Sequence, residues 1–292
     1  MKPLESISLD EIRAARERIA GSVLRTPLVR LNVDDAPAEI HLKLENLQPI
    51  GSFKLRGACN AMVQAGPQAL SRGVYTASAG NMAQGVAWTA RRMGIPCSVV
   101  VPDHAPRTKL DAIERLGGKT IPVPFERWWQ VLIERSYPGL EGLFVHPVSD
   151  PAVIAGNGTV GLEILEDLPD VDTIVVPYGG GGLCAGIASA VKALKPSVRV
   201  LAGEVETAAP FSASLRAGSP QDVAYTASFV DGIGGRGLLV EMWPLVSKLI
   251  DGSLVMSLEE VAAAVRILAT RNRVIAEGAG ATSVAAGLSG RA

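Results

Sequence analysis

Short β-branched apolar runs recur along the chain, each followed by a Gly or Pro break and a segment with apolar positions at helical spacing. "CSVVVPD" precedes "APRTKLDAIERLGG", and "DTIVVPYGGGG" precedes "LCAGIASAVKALKP", which "VRVLAGEVE" follows. Strand-helix-strand alternation predicts parallel sheets covered by helices, hence an α/β fold. The nearly unbroken apolar run "TIVVP" predicts a strand buried on both faces. Ser8 and Glu11 have capping-box spacing, so a helix is predicted from Leu9. Ser257 is the predicted N-cap of a helix over Leu258 to about Thr270. Two stretches break the rhythm. "SAGNMAQGVAWTARRMG" crowds Ser78, Gly80 and Asn81 at a helix start, and "HPVSDPAVIAGNGTVGLEILED" reads as a Pro/Asp-rich connection entering an amphipathic helix at about Thr159. Polar, conformationally special residues at helix starts favour anion sites.

Length and composition narrow the class. At 292 residues the chain exceeds a single core, which predicts two lobes. A hydrophobic content of 48% with 20% charged residues describes a globular protein. A net charge of −1 argues against nucleic-acid or anionic-membrane partners. Every apolar run is shorter than the roughly 18 residues of a membrane span, and the charged N-terminus lacks the apolar segment of a signal peptide. Cys59, Cys97 and Cys184 are odd in number, far apart and without CxxC spacing, which fits buried thiols in a reducing cytoplasm. His41, His104 and His146 are scattered and read as structural or exposed groups, not metal ligands. The adjacent Trp128 and Trp129 read as packing or interface.

The densest local signal is "PYGGGGLCAGIASA". A strand ends at Tyr178, four glycines follow, and a helix of small residues begins. Glycines let successive backbone N–H groups converge on a phosphate, and the positive end of the helix adds to the field. The phosphate's owner stays open at this level. Gly180-x-Gly182-x-x-Ala185 satisfies the dinucleotide fingerprint, and Glu204 stands where a ribose-binding acid is expected.

"GSFKLRGA" at Gly51–Ala58, "SAGNMAQG" at Ser78–Gly85 and the tetraglycine, in this order, resemble the fold-type II pyridoxal-phosphate enzymes, tryptophan synthase β-like, and most nearly the threonine/serine dehydratase group. "TPL" at Thr26–Leu28, the "HPVSDPAVIAGNGT" stretch and "AEGAGA" at Ala276–Ala281 extend the similarity over nearly the whole chain. The resemblance implies that Lys54 forms the Schiff base with the cofactor aldehyde and then moves the substrate α-proton, for which it must lose its charge. It implies a phosphate held by Gly179, Gly180, Gly181, Gly182 and the Leu183 amide. Phe53 and Glu277 are expected near the cofactor ring, and Asn81 on its phenolic oxygen. Ser78, Ala79, Gly80, Asn81 and Met82 are expected to hold the amino-acid substrate. The implied reaction is β-elimination of a β-hydroxy amino acid of the threonine or serine type to a 2-keto acid and ammonia.

Four departures qualify the match. Ala79 stands where racemases of the group carry a serine that moves a proton, so racemisation is disfavoured. Met82 replaces a histidine. Glu204 and Ala208 fall where some relatives bind a divalent cation, but Pro210 replaces the acidic ligand, leaving a half-site. Relatives carry a later loop whose Ser or Thr contacts the pyridine nitrogen; that contact is expected beyond Ala292, and Thr282 and Ser283 are not assigned to it. The expected layout is a large cofactor-binding domain of residues 1–71 and 143–292, an inserted domain of 72–142 that closes over substrate, and the cofactor between the lobes. A cytoplasmic homodimer is expected. A β-replacement enzyme or synthase, an NAD(P)-dependent oxidoreductase and a non-catalytic amino-acid sensor remain as other readings.

Overall fold

The computed structural model describes residues 3–292. From the N-terminus, the elements are α1 (Leu9–Ile19), β1 (Leu28–Arg30), β2 (His41–Lys43), α2 (Lys54–Ala69), β3 (Val74–Ala77), α3 (Asn81–Met93), β4 (Cys97–Pro102), α4 (Arg107–Arg115), β5 (Gly118–Val123), α5 (Phe125–Glu134) and β6 (Leu143–Phe144). They continue with α6 (Pro151–Asp167), β7 (Thr173–Pro177), α7 (Gly182–Leu194), β8 (Arg199–Val205), α8 (Pro210–Ala217), α9 (Trp243–Leu249), β9 (Gly252–Met256), α10 (Leu258–Ile267) and α11 (Gly278–Leu288). This is the α/β alternation that the apolar runs predict.

The chain divides into two compact units. The lysine unit comprises Asp10–Arg25 and Glu45–Asn157, and so contains the whole of segment 72–142 together with Lys54. The glycine-loop unit comprises Thr26–Leu44, Gly158–Ala292 and the N-terminal residues up to Leu9.

The lysine unit is built on a parallel sheet in the order β5-β4-β3-β6, with Val74 in register with both Cys97 and Leu143. Val99, Val100 and Val101 of β4 are fully buried, as suits a strand covered on both faces. Helix α2 packs on α3 and meets α6 at close range. A Cβ at Gly156 would lie 2.5 Å from the Arg56 carbonyl oxygen, and one at Gly57 2.7 Å from Val153 Cγ1. Only glycine allows that approach, which fixes α2 immediately after Lys54. Helix α6 begins at Pro151 and not at the predicted Thr159. Asp150 and Pro151 are an N-cap and first-turn pair: Asp150 Oδ1 accepts from the Ala152 N–H at 2.9 Å.

The glycine-loop unit holds a three-stranded parallel sheet, β7-β8-β9, and the antiparallel pair β1-β2. Strand β7 is at the sheet edge, and its Thr173, Val175 and Pro177 are only half-buried, so the expectation of burial on both faces fails there. The central strand β8 is the one buried on both faces, from Val200 to Val205. Helix α10 carries the predicted cap as a full capping box of Ser257 and Glu260, and continues into one π-helical turn at Leu268–Asn272. All three cysteines are buried. No helix among the described residues is long and apolar enough to cross a membrane.

Candidate active site

Lys54 is the first residue of α2, with Phe53 at the N-cap. Its backbone N–H donates to Ser52 Oγ at 3.3 Å, and its Nζ donates to the Pro147 carbonyl at 2.8 Å. Nζ also stands 5.3 Å from the centroid of the Phe53 ring. Two residues on, the buried Arg56 binds Glu45 through Nε and Nη2 at 2.8 Å each and donates to the Leu24 carbonyl at 3.2 Å. A half-buried amine therefore projects from a helix start whose backbone is anchored on both sides.

Ser78–Gly80 join β3 to α3 in the same unit. Gly80 is the N-cap of α3 and offers no side-chain cap, while its N–H donates to Ser78 Oγ at 3.2 Å. The helix start thus presents donors and a positive dipole end suited to a carboxylate. A Cβ at Gly85 would stand 3.3 Å from the Lys54 carbonyl oxygen, so this helix start and the α2 start are neighbours. Met82 is placed in the hydrophobic cluster with Ala58 and Val86, 2% exposed, and Ala79 packs against that cluster.

In the glycine-loop unit, the Tyr178 N–H donates to the Gly203 carbonyl at 2.8 Å. The buried Tyr178 ring stacks on Phe211 at 4.5 Å. Gly181 has φ of 91°, and a Cβ there would lie 2.8 Å from Tyr178 Oη. No L side chain is accommodated, and Gly181 is the N-cap of α7, again without a side-chain cap. With Gly179, Gly180, Gly182 and Leu183 around it, this is a cradle for a phosphate-sized anion. Gly179 lies beside Ile233, and Gly232 beside Glu277: added Cβ atoms would stand 3.6 Å from Ile233 Cα and 3.1 Å from Glu277 Oε1. Segment 232–233 was not singled out from the sequence, although "DGIGG" carries a visible glycine signal. Glu277 is the exposed N-cap of α11. Thr282 donates back to the Gly278 carbonyl at 2.9 Å, and Ser283 Oγ is buried without a hydrogen-bond partner.

Glu204 has partners on both carboxylate oxygens. It is fully buried; Oε1 accepts from the Phe211 N–H at 2.9 Å, and Oε2 from the Ser212 N–H at 2.7 Å and Ser253 Oγ at 2.6 Å. Burial raises its pKa against the pull of these bonds. The carboxylate ties the start of α8 to β9, which removes the acid that the dinucleotide reading needed. Ala208 is buried and donates its N–H to the Val205 carbonyl at 3.0 Å. Among the described residues, no three or more His, Cys, Asp or Glu side chains form a group able to hold a metal ion. Trp128 packs against a hydrophobic cluster with Val131 and Leu132, while Trp129 is 44% exposed.

A further set has no motif spacing to announce it: Ser149 stands three residues after His146, and Arg135 stands 14 before Ser149. His146 Nδ1 accepts from the Val148 N–H at 3.1 Å and the Ser149 N–H at 2.8 Å, and Ser149 Oγ lies 3.1 Å from it. Arg135 Nη2 donates to Ser149 Oγ at 2.8 Å and to the Ser149 carbonyl at 3.2 Å. Burial first, then the Arg135 and Lys54 charges, push the His146 pKa down to about 3.

The family described as "Pyridoxal-phosphate dependent enzyme" matches residues 19–292. The L-threonine ammonia-lyase of Thermotoga maritima is 41% identical over 284 residues, which span 96% of this chain and 71% of the relative. The catabolic L-threonine dehydratase of Escherichia coli K12 is 38% identical over 98% of this chain and 88% of its own. Among solved structures, maize serine racemase superposes with a TM-score of 0.90 at 35% identity, covering 97% of this chain and 89% of its own. The processed form of threonine deaminase isoform 2 from Solanum lycopersicum gives 0.87 at 32%, covering 99% of this chain and 82% of its own. This chain belongs to the fold-type II pyridoxal-phosphate-dependent enzymes.

Proposed function

We propose that the chain is an ammonia-lyase of β-hydroxy amino acids, with L-threonine its first substrate and L-serine its second. The observation that carries the reading is the Lys54 amine, held 2.8 Å from the Pro147 carbonyl at the start of α2, in a chain whose relatives include named L-threonine ammonia-lyases. When bound, pyridoxal phosphate supplies an electron sink for the pair left at the substrate α-carbon. Gly179–Leu183 would hold its phosphate and Asn81 its phenolic oxygen, and Phe53 and Glu277 would serve its ring. Lys54 carries the cofactor and, as a neutral amine, takes the α-proton. Ser78, Asn81 and the nearby backbone amides of Ala79 and Gly80 would hold the substrate carboxylate, with Met82 as an apolar wall beside them. The Cα–H and Cβ–OH bonds break, water leaves, and the released enamine tautomerises and hydrolyses to a 2-keto acid and ammonia. Residues 72–142 are the segment expected to close over substrate. The buried thiols support a cytoplasmic setting, and the working form is a homodimer.

The test is 2-oxobutanoate release from L-threonine by wild type and Lys54→Ala. Release by wild type alone supports the reading. A requirement for a second, nucleophilic substrate would make the protein a β-replacement enzyme, and bound cofactor without turnover would make it an amino-acid sensor.

A further inference from the structure

Arg135 is held in a way that packing alone does not explain. It is the C-cap of α5 in the left-handed conformation, φ 55° and ψ 29°, which costs a non-glycine residue on the order of 1 kcal/mol. Its Nε is buried without a hydrogen-bond partner, a further cost. In that posture its N–H donates to the Val131 carbonyl at 2.9 Å, and its own carbonyl accepts from Tyr75 Oη at 3.3 Å. The guanidinium then reaches Ser149. Ser149 Oγ accepts from Arg135 Nη2, so its own proton is available to His146 Nδ1. Two backbone N–H groups already point at Nδ1, so this nitrogen is an acceptor and the ring proton sits on Nε2. The result is a four-residue turn, His146 to Ser149, closed on one buried imidazole nitrogen. Between the two ends is Pro147, whose ring fixes its own φ and whose carbonyl accepts from Lys54 Nζ.

We propose that Arg135, acting through Ser149 and His146, is a positioning residue for the Lys54 amine: it locks the turn that aims the Pro147 carbonyl at Nζ. This rests on the reading of Lys54 as the cofactor lysine. The lock sets where the amine waits whenever it is not joined to the cofactor, and so how readily it attacks the incoming aldehyde carbon. In that attack the neutral amine nitrogen would bond to the carbon and give up its two protons to the carbonyl oxygen, which would leave as water.

The experiment starts from holoenzyme. Borohydride reduction and peptide mass mapping locate the cofactor. Hydroxylamine then removes it from wild type, Ser149→Ala, Arg135→Met and Arg135→Lys, and its recapture is followed by visible absorbance, with the melting temperature of each protein alongside. Ser149→Ala and Arg135→Met are expected to recapture pyridoxal phosphate about tenfold more slowly, with melting temperatures near wild type, and Arg135→Lys to recover most of the rate. Recapture by both at the wild-type rate overturns the proposal, and so does a melting temperature that falls in step with the rate in both. Cofactor found on a lysine other than Lys54 in wild type overturns the underlying reading instead. Cofactor on Lys54 with unchanged rates removes only the role of Arg135.

Discussion

Arg56 and Glu45 form a two-point ion pair, both contacts at 2.8 Å, directly beneath the start of the helix that carries Lys54. Arg56 is 1% exposed, so the charge has no route to water if its partner is removed. Glu45→Ala is expected to destabilise the protein by about 3 kcal/mol or more, because it leaves an uncompensated buried cation. The double variant Arg56→Met, Glu45→Ala should lose less than the losses of Arg56→Met and Glu45→Ala added together. Urea midpoints of the four proteins check this, and strict additivity would contradict it.

His146 makes the acid limb of stability steeper. Its pKa falls from the ordinary 6.5 to about 3 in the folded chain, so below 6.5 the unfolded chain binds the proton and the folded one does not. Stability is therefore lost as pH falls through that window, by up to about 1.4 kcal/mol per unit. Arg135, Lys54 and the Ser149 hydroxyl face the ring. Asp150, next along the chain, has its pKa raised by burial and offsets part of the loss at the acid end. His146→Gln should shrink the stability difference between pH 7 and pH 5 by about 1–2 kcal/mol, measured by urea unfolding at both values. An unchanged difference would show that the imidazole is not held neutral.

Ala79 has no proton to give, and it packs against the hydrophobic cluster of the lysine unit. L-serine incubated with the enzyme should yield pyruvate and no D-serine, despite the 0.90 superposition on maize serine racemase. Chiral chromatography reads the outcome, and accumulating D-serine would refute it.

Glu204 has hydrogen bonds on both oxygens, and a hard cation needs such oxygens as open ligands. A chelator or added Mg²⁺ should change turnover by less than about twofold. Inactivation by chelator with recovery on Mg²⁺ addition would mean the carboxylate is redirected on binding.

Local patterns carried most of the fold. The α/β alternation, the Leu9 helix start and the Ser257 cap could be read because each depends on neighbours within one turn or strand. Strand β7 misled because an apolar run shows hydrophobicity but not its place in the sheet, and the doubly buried position went to β8. Helix α6 starts eight residues before the predicted Thr159 because Asp150-Pro151, which reads as a break, is a cap. The glycine cradle and the α3 start were legible because their chemistry lies in contiguous backbone. Arg135, Ser149 and His146 were not, since no spacing announces an arginine that reaches a serine across the end of a helix. Glu204 showed the reverse failure: its position suggested a ligand, and its buried hydrogen bonds make it a helix anchor.

The most direct test of Lys54 as the cofactor lysine is the visible absorbance spectrum of the purified protein before and after L-threonine. A band above the protein's own absorbance that shifts on addition, with 2-oxobutanoate accumulating and both effects absent in Lys54→Ala, is the predicted result. A protein that stays colourless after incubation with pyridoxal phosphate, or a Lys54→Ala variant that keeps the band and the turnover, would contradict it.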